Sequence, residues 1–159
     1  MCNELYLFTD GSADPQSKIG YGAFFLLNNL NVSLDEAKSR VKLNRFETTS
    51  STKLELQTLL IALNVIDPTN CKLIVYTDSQ NIIGLANRRA RFEKNDYRSK
   101  NGKLIANHQL YQEFYRLTDR LQCEFVKVSG HKVSGKKDNI DQLFTLVDRA
   151  SRAALRERG

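Results

Sequence analysis

With 159 residues, 41% hydrophobic and 26% charged, the chain is large enough to bury about 70% of the surface its unfolded form exposes, so it needs no staples to fold. No apolar run approaches the ~20 residues of a membrane-spanning helix, and Met1-Cys2-Asn3-Glu4 lacks the charged-then-apolar layout of a signal peptide, which leads us to expect one cytoplasmic domain over residues 1–159. The cysteines Cys2, Cys71 and Cys123 are odd in number and scattered, without zinc spacing, so reduced thiols are expected, and the net charge of +6 favours a polyanionic partner.

Leu5-Tyr6-Leu7-Phe8 is a continuous apolar run that closes on Thr9-Asp10-Gly11-Ser12, the pattern of a strand buried on both faces. Ala13 to Lys18 turns at Asp14-Pro15, and Gly20 to Leu27 forms a second strand ended by Asn28-Asn29. Val32 to Arg40 is polar, with room for one helical turn around Leu34 to Ala37, and Val41 to Phe46 alternates as a third strand of an antiparallel meander. Thr52 to Ile66 switches to helical period, with Leu56, Leu59, Leu60, Leu63 and Ile66 as its apolar stripe and Asp67-Pro68 as its stop. Taken alone, Thr52-x-x-Glu55 reads as a capping box at its start, a reading that the full set of acids reverses in favour of ligation by Glu55.

Lys72 to Thr77 is a fourth strand, and it closes on Thr77-Asp78-Ser79 just as the first closes on Thr9-Asp10-Gly11. Strand, helix and strand after a hairpin predict a mixed sheet in which these two strands run parallel, bringing Asp10 and Asp78 to one edge. Adjacent carboxylates repel unless a cation lies between them, and a divalent metal is the usual one. Ile82 to Leu85 is a short helix candidate, and Asn107 to Leu121 a longer one with Leu110, Phe114 and Leu117 on one face. Between them, Arg88 to Lys103 holds seven basic residues against two acidic ones, interleaved with Phe92 and Tyr97. Glu124 to Ser129 is the fifth strand, followed by Gly130-His131, a polar loop and a terminal helix from Asn139 to Arg156.

Five marks in this order resemble type 1 ribonuclease H over nearly the whole chain: Asp10-Gly11-Ser12 with Gly20-Tyr21-Gly22, Glu55, Thr77-Asp78-Ser79-Gln80, Gly130-His131, and Asp148 in the last helix. The resemblance implies an α/β fold of the ribonuclease H type, a five-stranded mixed sheet with three antiparallel strands then parallel ones, flanked by helices. It implies an endonuclease that hydrolyses the RNA strand of RNA/DNA hybrids, leaving 5′-phosphate and 3′-hydroxyl ends. Two Mg²⁺ ions, with Mn²⁺ a substitute, would be held by Asp10 as the bridge, Glu55 and Asp78 on the nucleophile side and Asp148 on the other. His131 corresponds to a loop histidine of the family that assists proton transfer or product release, suited by an ordinary pKa near 6.5.

The fourth carboxylate has two candidates. Family spacing after the histidine points to Asp141, whereas the small-residue context Val147-Asp148-Arg149-Ala150-Ser151-Arg152-Ala153-Ala154 points to Asp148, which we adopt. Arg88, Arg89, Arg91 and Lys94 occupy the family's basic protrusion and would neutralise backbone phosphates. Gly11, Ser12, Ser51, Thr52, Gln80 and Asn107 complete the expected substrate contacts. Ser51-Thr52 stands where many members carry Asn-Asn, and a hydroxyl reaches a 2′-OH with fewer donors than an amide. Tryptophan is absent, leaving Phe92, Tyr97 or Tyr111 as packing surfaces for the DNA strand. A monomer is expected; the rival readings are a nuclease of this fold with another substrate choice and a non-catalytic hybrid-binding module.

Overall fold

The computed structural model describes residues 4–67, 71–129 and 138–158. In chain order the elements are β1 (Glu4–Ala13), β2 (Gly20–Leu27), α1 (Leu34–Ser39), β3 (Lys42–Phe46), α2 (Ser51–Asn64), β4 (Lys72–Thr77), α3 (Gln80–Ile83), α4 (Leu85–Lys94), α5 (His108–Arg120), β5 (Gln122–Lys127) and α6 (Asn139–Arg156). The five strands form one sheet in the order β3-β2-β1-β4-β5, antiparallel from β3 to β1 and parallel from β1 to β5, as the periodicity predicts.

Each face of the sheet is apolar and is covered by helices. Leu7, Phe24, Leu73 and Val75 join Leu56, Leu59 and Leu63 of α2 and Phe114 and Leu117 of α5 in one core. Phe8, Phe25 and Tyr76 stack in series on the other face, under Leu143, Phe144 and Val147 of α6. Successive strand residues alternate between these two cores, which is why the apolar runs of β1 and β4 are unbroken. Among the described residues no helix is long and apolar enough to cross a membrane.

Helix α2 lies unusually close to β2 because glycine lets it. A Cβ on Gly22 would fall 1.7 Å from Thr58 Oγ1, and one on Gly20 would fall 2.7 Å from Leu54 Cδ2. The glycines behind Asp10 therefore set the depth at which α2 rests on the sheet, and with it the reach of Glu55.

Three local expectations are corrected. Helix α2 is capped by Ser50, whose hydroxyl accepts from Lys53 N at 3.3 Å, so Thr52 is not the N-cap and Glu55 takes no part in a capping box. An extended Ser50 satisfies the free N–H two residues before Thr52 could, leaving the Glu55 carboxylate for the sheet edge. The basic stretch contains the helix α4, which the sequence left unassigned. Cys71 is disulfide-bonded and Cys123 is a free thiol, so the cysteines are not all reduced; scattered spacing along the chain does not report a pairing.

Candidate active site

The site forms where β1 outlasts its parallel neighbour. Pairing of β1 with β4 ends at Phe8 and Tyr76, whereas pairing with β2 continues through Asp10 opposite Ala23 to Ala13 opposite Gly20. A crevice opens at this switch between parallel and antiparallel neighbours, outside the carboxyl ends of β1 and β4. Asp10 stands in it on β1. Asp78 follows β4, where Ser79 N donates to Thr77 Oγ1 at 3.1 Å and Val128 N to Thr77 O at 2.9 Å, fixing the turn that carries the carboxylate.

Glu55 arrives from α2, and carboxylate oxygens of Asp10, Glu55 and Asp78 all lie within 4.8 Å of one another. They line a cleft of about 290 Å³ together with Gly11, Ser12, Ala13, Ser51, Asp148 and Arg152. Asp10 is only 5% exposed. Burial, reinforced by Asp78 and then by Asp148 and Glu55, pushes its carboxyl from the ordinary 3.8 up to about 9, against the opposing pull of the Gly11 N–H. Burial likewise raises Glu55 to about 7; a hydrogen bond with the Ser79 hydroxyl holds it down and Asp78 pushes it further up. Hard oxygen donors gathered at the foot of a cleft, with burial and mutual repulsion opposing their charge, are the donor set a divalent cation takes.

Asp148 stands on the cleft wall, with its Oδ1 accepting from Arg152 Nε at 2.9 Å. Asp141 is engaged at the start of α6, where it forms a capping box with Asp138: Asp141 N donates to Asp138 Oδ1 at 2.9 Å and Asp138 N to Asp141 Oδ2 at 3.3 Å. Of the two, only Asp148 lines the cleft. Gly130 and His131 lie outside the described residues. Arg152 was not expected here; its signal in the sequence is its position one helical turn beyond Asp148 on the same face.

The expected substrate contacts divide by location. Gly11, Ser12 and Ser51 line the cleft, while Thr52 is exposed beside it on the first turn of α2. Gln80 Oε1 accepts from Lys127 Nζ at 2.7 Å on the exposed surface. Asn107 is the left-handed N-cap of α5 with φ 65°, and its side chain makes no cap hydrogen bond.

In the basic segment, Arg88 turns inward to Asn81 O, Asn81 Oδ1 and Gly84 O, and Arg89 pairs in fork fashion with Asp119 at 2.6 and 2.8 Å and with Glu93. Arg91 and Lys94 are exposed on the last turn of α4. Beyond them a tight hairpin, closed by an Arg98–Leu104 bridge and by Gly102 at φ 79°, presents Lys100 and Lys103 at its tip. The aromatic residues expected to face a DNA strand are instead the anchor of this segment. Phe92 stacks on Tyr111 at 5.3 Å and packs on Tyr97 at 5.6 Å, and both tyrosines are buried. These rings join Leu85 and the Arg89–Asp119 pair in holding α4 to α5.

The RNase H family model matches residues 2–153 of the chain. Among curated relatives, the Ribonuclease H of Moorella thermoacetica is 27% identical over 157 residues, covering 96% of this chain and 94% of that one. The Ribonuclease H of Chlorobaculum parvum is 27% identical over 146 residues, with 89% and 92% covered, and that of Acetivibrio thermocellus 26% over 144 residues, with 87% and 90% covered.

Proposed function

This chain belongs to the RNase H family, and from that premise we propose that it is an endonuclease, one domain acting as a monomer, that hydrolyses the RNA strand of RNA/DNA hybrids to 5′-phosphate and 3′-hydroxyl ends. The observation that carries this reading is the convergence of Asp10, Glu55 and Asp78 within 4.8 Å in a cleft of about 290 Å³. Two divalent ions, Mg²⁺ in preference, supply an activated water on one side of the phosphorus and charge stabilisation for the leaving oxygen on the other.

The chain's own part is to hold and aim. Asp10, central and buried, would hold the metal together with Glu55 and Asp78, and Asp148 would complete the set from α6. With the carboxyl pKa values of Asp10 and Glu55 raised, a metal must displace protons to bind, so ion uptake releases protons and weakens as pH falls. Ser12 and Ser51 line the cleft, and their hydroxyls are assigned to the ribose 2′-OH, the group that distinguishes RNA. His131, by resemblance, moves a proton to or from the departing strand. Arg91 and Lys94 neutralise phosphates of the DNA strand beyond the cleft.

A labelled hybrid incubated with the protein and Mg²⁺, beside duplex DNA and duplex RNA, tests the reading. Hybrid cleavage with 3′-hydroxyl products is expected. An intact hybrid, or equal cleavage of DNA, overturns it. Because Ser51 and Thr52 replace amides, a duplex with one embedded ribonucleotide measures how far selectivity depends on a run of 2′-hydroxyls. A non-catalytic binding module has no use for a negative pocket, and calorimetric Mg²⁺ binding separates it from an enzyme.

A further inference from the structure

The cleft wall carries a cation to which the proposed chemistry assigns no task. Arg152 lines the same cleft as the four acids, and its pair with Asp148 is made half in solvent, with side-chain exposures of 57% and 27%. A pair at that exposure is weak and readily exchanged. Asp148, meanwhile, is outside the group of carboxylates that lie within 4.8 Å of one another. Arg149 and Arg156 precede and follow Arg152 by three and four residues, so the three arginines share one exposed flank of α6, beside Asp148 and away from the buried Leu143, Phe144 and Val147. This basic stripe begins in the cleft and continues along the outside of the helix. A second polyanion track of that kind, separate from α4, fits the phosphates of a strand passing out of the site.

We propose that Arg152 is an exchangeable counter-ion: it pairs with Asp148 while the cleft is empty, passes to a backbone phosphate of the bound strand, and so frees Asp148 to turn toward Asp10, Glu55 and Asp78. A guanidinium suits the exchange, because its planar fork matches two oxygens of a phosphate as well as it matches a carboxylate. The coupling is reciprocal. Strand binding and completion of the acid cluster assist one another, so the fourth ligand is offered only when substrate is present. This inference rests on the reading of the cleft as a hybrid-cleaving site.

Two measurements without turnover test it. The first is anisotropy of a labelled hybrid in EDTA across a salt series; the second is Mg²⁺ calorimetry without nucleic acid. Arg152→Gln is expected to weaken hybrid binding about three- to tenfold and to make the slope of log affinity against log salt shallower by about 0.9, with Arg152→Lys restoring the slope. Mg²⁺ affinity should rise in Arg152→Gln, because one positive charge leaves the cleft and Asp148 is released. Unchanged slope with weaker Mg²⁺ binding would mean that Arg152 only braces Asp148, and the inference fails. A wild type that binds neither hybrid nor Mg²⁺ overturns the functional reading beneath it, a result distinct from the failure of Arg152 alone.

Discussion

The acidic cleft and the basic segment treat charge in opposite ways. In the cleft, Asp10, Glu55 and Asp78 are crowded together by β1, α2 and the turn after β4, so that charge on all three is costly until a proton or a cation offsets it. In the basic segment part of the charge is engaged within the molecule. Arg88 satisfies carbonyls of the α3–α4 turn and Arg89 ties α4 to Asp119 of α5, so structure is made at the expense of free charge. Position decides how charge is used: the cleft crowds acids where a cation can be held, and the segment presents the exposed Arg91 and Lys94 at its rim.

The largest effect expected to break this comparison is loss of a cleft carboxylate. Asp10→Asn or Asp78→Asn should lower hybrid cleavage by at least about 10³-fold, since several kcal/mol of charge stabilisation at about 1.4 kcal/mol per decade are removed. The same Asp10→Asn change should raise the stability of the metal-free protein in urea titrations at pH 7. Each unit of its upward pKa shift is worth about 1.4 kcal/mol. A variant that loses both activity and stability would show that Asp10 holds the fold and not a ligand.

Next comes the contrast on α6. Asp148→Asn should reduce cleavage about 10- to 100-fold at unchanged melting temperature. Asp141→Ala should instead cost about 1 kcal/mol of stability through its cap and leave turnover near wild type. The reverse pattern in paired activity and melting assays would transfer the fourth carboxylate to Asp141.

Gly22→Ala tests the depth of α2. The added methyl would meet Thr58 Oγ1 at 1.7 Å, so about 1–3 kcal/mol of stability should be lost as the helix is pushed off β2. Activity should fall with it, because Glu55 rides on that helix. Thr58→Ala in the same chain should recover part of both.

Proton linkage is a quieter signature. Asp10 binds its proton up to about pH 9 in the native protein but only to about 3.8 when unfolded. Across that window the native state holds more protons, so metal-free stability should fall as pH rises from about 4 to about 9 and level off beyond. Mg²⁺ should flatten the decline, as should Asp10→Asn; a metal-free stability that rises over that interval contradicts the cleft electrostatics. The smallest effects separate the arginines of α4. Arg91→Gln and Lys94→Gln should each make the salt slope of hybrid binding shallower by about 0.9 without destabilising the protein. Arg89→Gln should leave the slope alone and cost up to about 1 kcal/mol.

Much of this was legible in the amino-acid order because burial writes itself into periodicity. The unbroken apolar runs of β1 and β4 announced strands covered on both faces, and the repeat of Thr-Asp at their ends announced a shared edge. Local chemistry read less well. Thr52 and Ser50 are both competent caps, and only backbone conformation chose Ser50. The aromatic residues of the basic segment carried no sign of whether they face a strand of DNA or one another; the fit of Phe92 between Tyr97 and Tyr111 decided it.

By itself, then, the sequence determined the order of the strands along the chain, the mixed sheet and two aspartates at its edge, since these follow from patterns a few residues long. Tertiary structure alone decided which arginines are already paired and that Arg152 stands among the carboxylates. Those are matters of distance between segments far apart in the chain, set by how closely α2 and α6 rest on the two faces of one sheet, and no local pattern encodes them.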